Sequence, residues 1–201
     1  MLDDHALVEA AQRGDRSCLD ELLRRHYDRV FAVCRRITGH EADAADAAQE
    51  ALIAMVRGLS KFDGRSSFAT WSYRIATNAS LDELRRRRRR PLLSSDPEQA
   101  SVGVQDSPDP DSGLRLDMIG DRLLLDAALA NLPEDFRVPV VLRDVGDLDY
   151  AEISEVLGIP VGTVKSRIAR GRAALANALS GERGKPFGNQ SDPSIRQTPA
   201  P

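Results

Sequence analysis

The chain is poor in the residues that do covalent, redox or metal chemistry. Its only two cysteines, Cys18 and Cys34, stand apart with no CxxC spacing. This argues against a redox pair or a thiolate metal site, and both read as small core residues of a reduced cytoplasmic protein. The three histidines, His5, His26 and His40, are scattered without ligand spacing, so neither a metal nor another cofactor is expected. Aromatic residues form only 4% of the chain against 41% for all apolar types, which leaves the core to aliphatic side chains. No apolar run reaches the ~18 residues of a membrane span, and no charged-then-apolar leader opens the chain, so no membrane insertion is expected.

What is present is charge, unevenly placed. The formal net charge of −3 conceals a segregation. The stretch "DELRRRRRRPLL" over 82–93 holds six consecutive arginines, more cations than a helix end needs to satisfy its macrodipole. Residues 94–120 carry Arg115 against Asp96, Glu98, Asp106, Asp109, Asp111 and Asp117, and 121–159 are again dominated by acids. Residues 160–172 then carry Lys165, Arg167, Arg170 and Arg172 with no acid. Two basic patches separated by acidic stretches suit a protein that meets a polyanion at two places.

Apolar residues recur at three and four from Asp4 to about Arg90, the period of amphipathic helices, and no sustained alternation suggests strands. Ala48, Leu52, Met55, Val56 and Leu59 form the inward stripe expected of a third helix, with Asp43 or Glu41 as its cap. Ser66 or Ser67 is the expected cap of a fourth, which Pro91 stops. Residues 94–113 have linker composition. The expected organisation is all-α, with two small helical domains over 1–92 and 121–180, a flexible acidic linker over 93–120 and a disordered tail over 181–201.

The strongest local signal is "DYAEISEVLGIPVGTVKSRIARGRAAL", residues 149–175. Tyr150, Ile153, Val156 and Leu157 give a short helix its apolar face. Gly158 permits the turn, Ile159 plugs the angle, and Val164, Ile168 and Leu175 face inward on the next helix. This is helix-turn-helix spacing. The outer surface of the second helix bears cations suited to phosphates and guanine edges.

At these residues the chain resembles the bacterial sigma factors of the extracytoplasmic-function (ECF) type, which contain only regions 2 and 4 of the sigma-70 family. A second stretch, "DAADAAQEALIAMVRGLSKFDGRSSFATWSYRIATNASLDELRRRRRRP", carries the same resemblance. The two together cover roughly 4–92 and 121–179. The resemblance implies a promoter-specificity subunit, not an enzyme, that recruits core RNA polymerase, recognises −35 and −10 elements and begins melting. It implies docking of Asp46, Gln49 and Glu50, with Asp43 extending their helical face, on the β′ clamp helices, and contact of the acidic part of the second domain with the β flap. It assigns −10 recognition to Asp63, Gly64, Arg65, Ser66, Ser67, Trp71 and Asn78, the loop forming a pocket for a flipped base and Asn78 facing it. Trp71 is read chiefly as core, and Ser72 stands where housekeeping relatives carry a second aromatic. Arg85, Arg86, Arg87, Arg88, Arg89 and Arg90 are expected along the DNA backbone, and Thr163, Lys165, Ser166, Arg167 and Arg170 at the −35 element. Promoter DNA, core polymerase and an anti-sigma protein are the implied partners. The rivals are an autonomous helix-turn-helix repressor or activator and an enzyme acting on nucleic acid, such as a nuclease. The latter would need converging carboxylates or histidines that the chain does not supply.

Overall fold

The computed structural model describes residues 2–89 and 124–180. The expected linker, the expected tail and Arg90 lie outside the described residues. Short polar side chains start several helices. Asp3 accepts the Ala6 N–H at 2.8 Å and opens α1 (Asp4–Gln12). Asp15 does the same for α2 (Arg16–Thr38), taking the N–H groups of Ser17 and Cys18. The Ser17 hydroxyl, which also donates to it, is the main reason its carboxyl lies below the ordinary value. Gly39 ends α2 in the left-handed region at φ 73°. Helix α3 (Glu41–Gly58) starts at His40 without a side-chain cap, so Glu41 and Asp43 are not caps. They stand in its first turn, near the positive end of its dipole. A 3₁₀ turn over Leu59–Lys61 leads to a loop and then to α4 (Phe68–Arg89). There Ser67 behaves as the expected cap, its Oγ accepting the Thr70 N–H at 3.0 Å.

Val30, Val33, Cys34 and Ile37 of α2 meet Ala44, Ala47, Ala48, Ala51 and Met55 of α3 and Tyr73 and Ala76 of α4 in the first bundle's core. The alanines let these helices approach closely, which is how a chain short of aromatics fills its interior. Burial pushes the Cys34 thiol up to about 11, so it is a core group and not a nucleophile. One expectation fails here: Val56 is 47% exposed, because the inward stripe of α3 follows the alanines.

The second bundle contains α5 (124–131), α6 (Glu134–Asp144), α7 (Tyr150–Leu157) and α8 (Val161–Leu179). Asp149 and Glu152 form a capping box at the start of α7, and Gly158 makes the turn into α8 at φ 64°. Val164, Ile168 and Leu175 are buried as the spacing predicts. Helix α6 packs on both α8 and α2, and α4 packs on α7, so the two bundles share a continuous apolar interior. Where α8 crosses α6, a Cβ on Gly171 would stand 2.6 Å from Val140 Cγ2 and 3.2 Å from the Phe136 carbonyl.

Gly171→Ala is therefore expected to destabilise the fold by ~1–3 kcal/mol in urea denaturation. Gly162→Ala on the same helix, where a Cβ meets nothing within 4 Å, is expected to leave stability unchanged or raise it by up to ~1 kcal/mol. Equal losses at both positions would show that helix crossing is not what Gly171 serves.

Candidate nucleic-acid interface

The loop before α4 is held from both ends. Asp63 accepts the Arg65 N–H at 3.2 Å and pairs with its guanidinium at 3.0 Å, while Gly64 turns the chain at φ 72°. Gln12 of α1 donates to the carbonyls of Leu59 and Phe62 at 2.9 and 2.8 Å, fixing where the loop begins. Below it, Phe62, Phe68 and Trp71 cluster with ring centroids 5.1 to 6.1 Å apart. The edge of His26 meets Phe68, and His26 bonds to Asp4 at 2.7 Å. Trp71 is half-buried against Gly58, which supports its reading as a core residue, yet it also walls a cleft.

Two clefts flank the loop. One, of about 630 Å³, lies between Asp63–Phe68 and α1. The other, of about 340 Å³, is lined by Lys61, Arg65, Ser66, Trp71, Arg74 and Glu155, the last from α7. Asn78 lines neither cleft. It is exposed one helical turn beyond Arg74, on the same face of α4. Arg74 and Gln12 were not singled out in the sequence. The spacing of Trp71, Arg74 and Asn78 at three and four could have found Arg74, whereas nothing local marks Gln12.

The arginine run is not a bare cationic rod. Arg85 pairs with Asp82 at 2.7 Å and Arg86 with Glu83 at 2.8 Å, Glu83 being only 1% exposed. Arg87 reaches Asp43 of α3 and Arg88 reaches Glu134 of α6, each at 2.8 Å. Arg89 donates to the Arg85 carbonyl at 3.3 Å. The four paired arginines remain about half exposed or more.

On α3, Asp46, Gln49 and Glu50 are exposed together and are continued by the exposed Ile53 and Val56. This is a mixed acidic and apolar strip. Asp43 departs from that face: its side chain is 13% exposed, because the carboxylate is turned to Arg87.

On α8, Lys165, Ser166 and Arg170 are exposed, whereas Thr163 and Arg167 are half-buried. Lys165 and Arg143 each lie over the Tyr150 ring, 5.6 and 5.5 Å from its centroid. Arg167 pairs with Asp135 at 3.1 Å, and the Ser166 hydroxyl donates to the Thr163 carbonyl. Arg172 is held by Asp144. Among the described residues no helix is long and apolar enough to cross a membrane, and no three His, Cys, Asp or Glu side chains gather as a metal site would require.

Residues 22–90 match the family described as Sigma-70 region 2, and residues 122–175 the family described as Sigma-70, region 4. The ECF RNA polymerase sigma-E factor of Haemophilus influenzae is 35% identical over 184 residues, covering 89% of this chain and 96% of that protein. The RNA polymerase sigma-H factor of Pseudomonas aeruginosa is 36% identical over 182 residues, covering 88% and 93%. Among solved structures, CnrH in complex with the cytosolic domain of CnrY shares the fold, with a TM-score of 0.62 at 24% identity over 88% of this chain and 97% of that one. The sigma factor RpoE of Bartonella quintana, solved with the anti-sigma factor NepR, does so with a TM-score of 0.61 at 20% identity over 82% and 98%.

The pairing pattern divides the arginine run. Arg86→Ala leaves the buried Glu83 carboxylate without its cation and is expected to cost ~1–3 kcal/mol in urea denaturation. Arg85→Ala, whose partner Asp82 is exposed, should cost under ~0.5 kcal/mol. Indistinguishable losses would remove the division.

Proposed function

Because the chain belongs to the ECF sigma factors of the sigma-70 family, promoter-specificity subunits that direct core RNA polymerase to −35 and −10 elements, we propose how its surfaces share that work. The observation that carries the proposal is the outer face of α8. It bears Lys165, Arg167 and Arg170 with no acid among its own residues, on the second helix of a helix-turn-helix. That helix enters the major groove at the −35 element. Lys165, Ser166, Arg167 and Arg170 face the groove, with Thr163 near a phosphate. The Tyr150 ring limits the freedom of Lys165 before DNA arrives, which lowers the entropy lost on binding.

The −10 strand meets the loop Asp63, Gly64, Arg65, Ser66 and Ser67. A base leaving the stack needs hydrogen bonds and a ring wall to offset a few kcal/mol of unstacking. The cleft by Ser66, Trp71 and Arg74 offers both, and Asn78 reads a neighbouring position along α4. Arg85 to Arg90 follow the backbone of the adjoining duplex, contributing salt-dependent affinity without sequence choice. The strip of Asp46, Gln49, Glu50, Ile53 and Val56 docks on the polymerase clamp. Asp43, held by Arg87, steadies that helix and contributes less to the contact. Regulation by an anti-sigma protein, action as a subunit without catalysis of its own, and a place in the cytoplasm beside polymerase all accord with membership of the family.

The test is capture of bacterial core polymerase followed by transcription from a randomised promoter library. Stable capture with selective initiation supports the proposal and yields both elements. No capture, with tight binding to duplex DNA alone, would favour the repressor. Within that assay Arg170→Ala should lose about 1–3 kcal/mol of discrimination at one −35 position. Asp46→Ala with Glu50→Ala should weaken capture while leaving the unfolding transition in place. Normal capture by this double variant would overturn the docking assignment.

A further inference from the structure

Helix α1 lies outside the residues that match Sigma-70 region 2, which begin at residue 22, yet it is built into the support of the loop before α4. Leu7 and Val8 are buried in one cluster with Leu22, Leu59 and Phe68. At the start of α1 the Asp4 carboxylate bonds to His26 Nε2 at 2.7 Å and pairs with Arg25 at 3.5 Å. Arg25 also donates to the Leu2 carbonyl at 2.7 Å. The helix is thus fixed to α2 before its last residue, Gln12, reaches across to the loop. An amide has two N–H groups, and Gln12 Nε2 lies 2.9 Å from the Leu59 carbonyl and 2.8 Å from that of Phe62. The Leu59 carbonyl also accepts the Phe62 N–H at 3.0 Å, so this turn is closed by its own backbone and braced from outside. The Phe62 carbonyl is the last before Asp63, and its ring packs on Phe68 and Trp71 and walls both clefts. At the other end of the loop the Ser67 and Thr70 hydroxyls lie 2.7 Å apart, and Thr70 donates onward to Glu152 at 2.7 Å.

We propose that Gln12 is a positioning residue for −10 specificity: by holding the Leu59 and Phe62 carbonyls it sets the shape in which the loop meets the flipped base, without touching that base. The inference rests on the assignment of the loop to −10 recognition. Gln12 lines the wider cleft but not the one by Ser66, Trp71 and Arg74, so its influence on the latter passes through Phe62. Gln12 is itself exposed, and hydrogen bonds that compete with water add little to the stability of a bundle. They are enough to select one loop conformation among several of similar energy, which spares the ordering cost at the moment of binding. A base outside the stack is discriminated by groups already in register with its edge. A loop free to adjust would accommodate a wrong base at smaller cost. Two quantities therefore separate: loss of the Gln12 donors lowers selectivity at the −10 element more than it lowers stability.

The experiment uses the full chain assembled with bacterial core polymerase. Initiation is measured from promoters carrying the −10 and −35 elements recovered from the library, or single base changes in either. Gln12→Met keeps the length of the side chain and removes both donors, whereas Gln12→Lys returns donors to the two carbonyls. Gln12→Met is expected to lower the preference for the matching −10 base about fivefold, with the −35 preference and the urea midpoint unchanged. Gln12→Lys should recover most of that preference. A charge added at position 12 raises affinity for every promoter alike and leaves the ratio alone. A chain that merely folds less well would initiate less at all promoters, without altering either preference. Amide exchange over 59–67 in the free chain, read by mass spectrometry, should quicken in Gln12→Met and slow again in Gln12→Lys. Unchanged −10 preference in Gln12→Met overturns the proposal, as does a loss that Gln12→Lys leaves unrepaired. Arg65→Ala with Ser66→Ala is the control for the loop. If this double variant also keeps the −10 preference, the loop assignment fails and the role of Gln12 with it. If it lowers the preference and Gln12→Met does not, the loop keeps its role and Gln12 alone loses its own.

Discussion

At the end of α4 the guanidiniums of consecutive arginines are crowded onto little more than one helical turn, where their mutual repulsion opposes helix formation. Each described arginine from Arg85 to Arg89 meets an oxygen, and those oxygens come from three helices. Asp82 and Glu83 answer from α4 itself, Asp43 from α3 and Glu134 from α6. The repulsion is thereby turned into a set of tethers. The Arg87 pair ties α3, whose outer face carries the acidic strip, to the cationic end of α4. The Arg88 pair ties the two bundles together. The pair with the buried Glu83 is the strong one and the more exposed pairs are each worth little, but all share one origin and one place.

The same economy appears in the cores. With few aromatics available, the first bundle brings three helices together over alanines, and α6 and α8 cross over a glycine. Three of the chain's nine aromatics, Phe62, Phe68 and Trp71, pack against one another under the loop as its floor. A loop of small polar residues can then hold a definite shape, since its ends are fixed by Gln12 at one side and by the Ser67 cap at the other. Support of this kind suits the base pocket proposed for the loop, because any ordering left to the moment of binding would subtract from affinity.

Much of this was legible in the residues. The 3.6-residue period gave the helices, and Gly158 with Ile159 gave the helix-turn-helix. Ser67 was a readable cap, and the exposure of Asp46, Gln49, Glu50, Lys165 and Arg170 followed from spacing. What stayed hidden were choices made between distant parts of the chain. Asp43 and Arg87 are separated by 44 residues, Arg88 and Glu134 by 46, and Thr70 and Glu152 by 82. No local pattern reports which acid will meet which cation. The stripe on α3 was misread at Val56 because alanine carries little hydrophobic weight in a periodicity count, although four alanines define the buried side. Asp43 was misplaced on the docking face for the related reason that a helix wheel shows direction and not partner.

The tethers also bear on specificity. A cation that is already paired with a carboxylate must exchange that partner before it can hold a phosphate. Non-specific DNA offers only phosphates, so part of what it gains is offset by the acids that it displaces. Under the proposed function a matching promoter offers phosphates together with base contacts at the loop and at α8, and those additional contacts carry the exchange through. Self-pairing by the protein thus acts in the same sense as condensed counterions on DNA. It lowers affinity for all sequences alike and leaves the differences between them to be set by the groups that touch bases. A run of bare arginines would hold any duplex tightly, whereas with the paired run found on α4 tight binding of a duplex requires further contacts from the rest of the molecule.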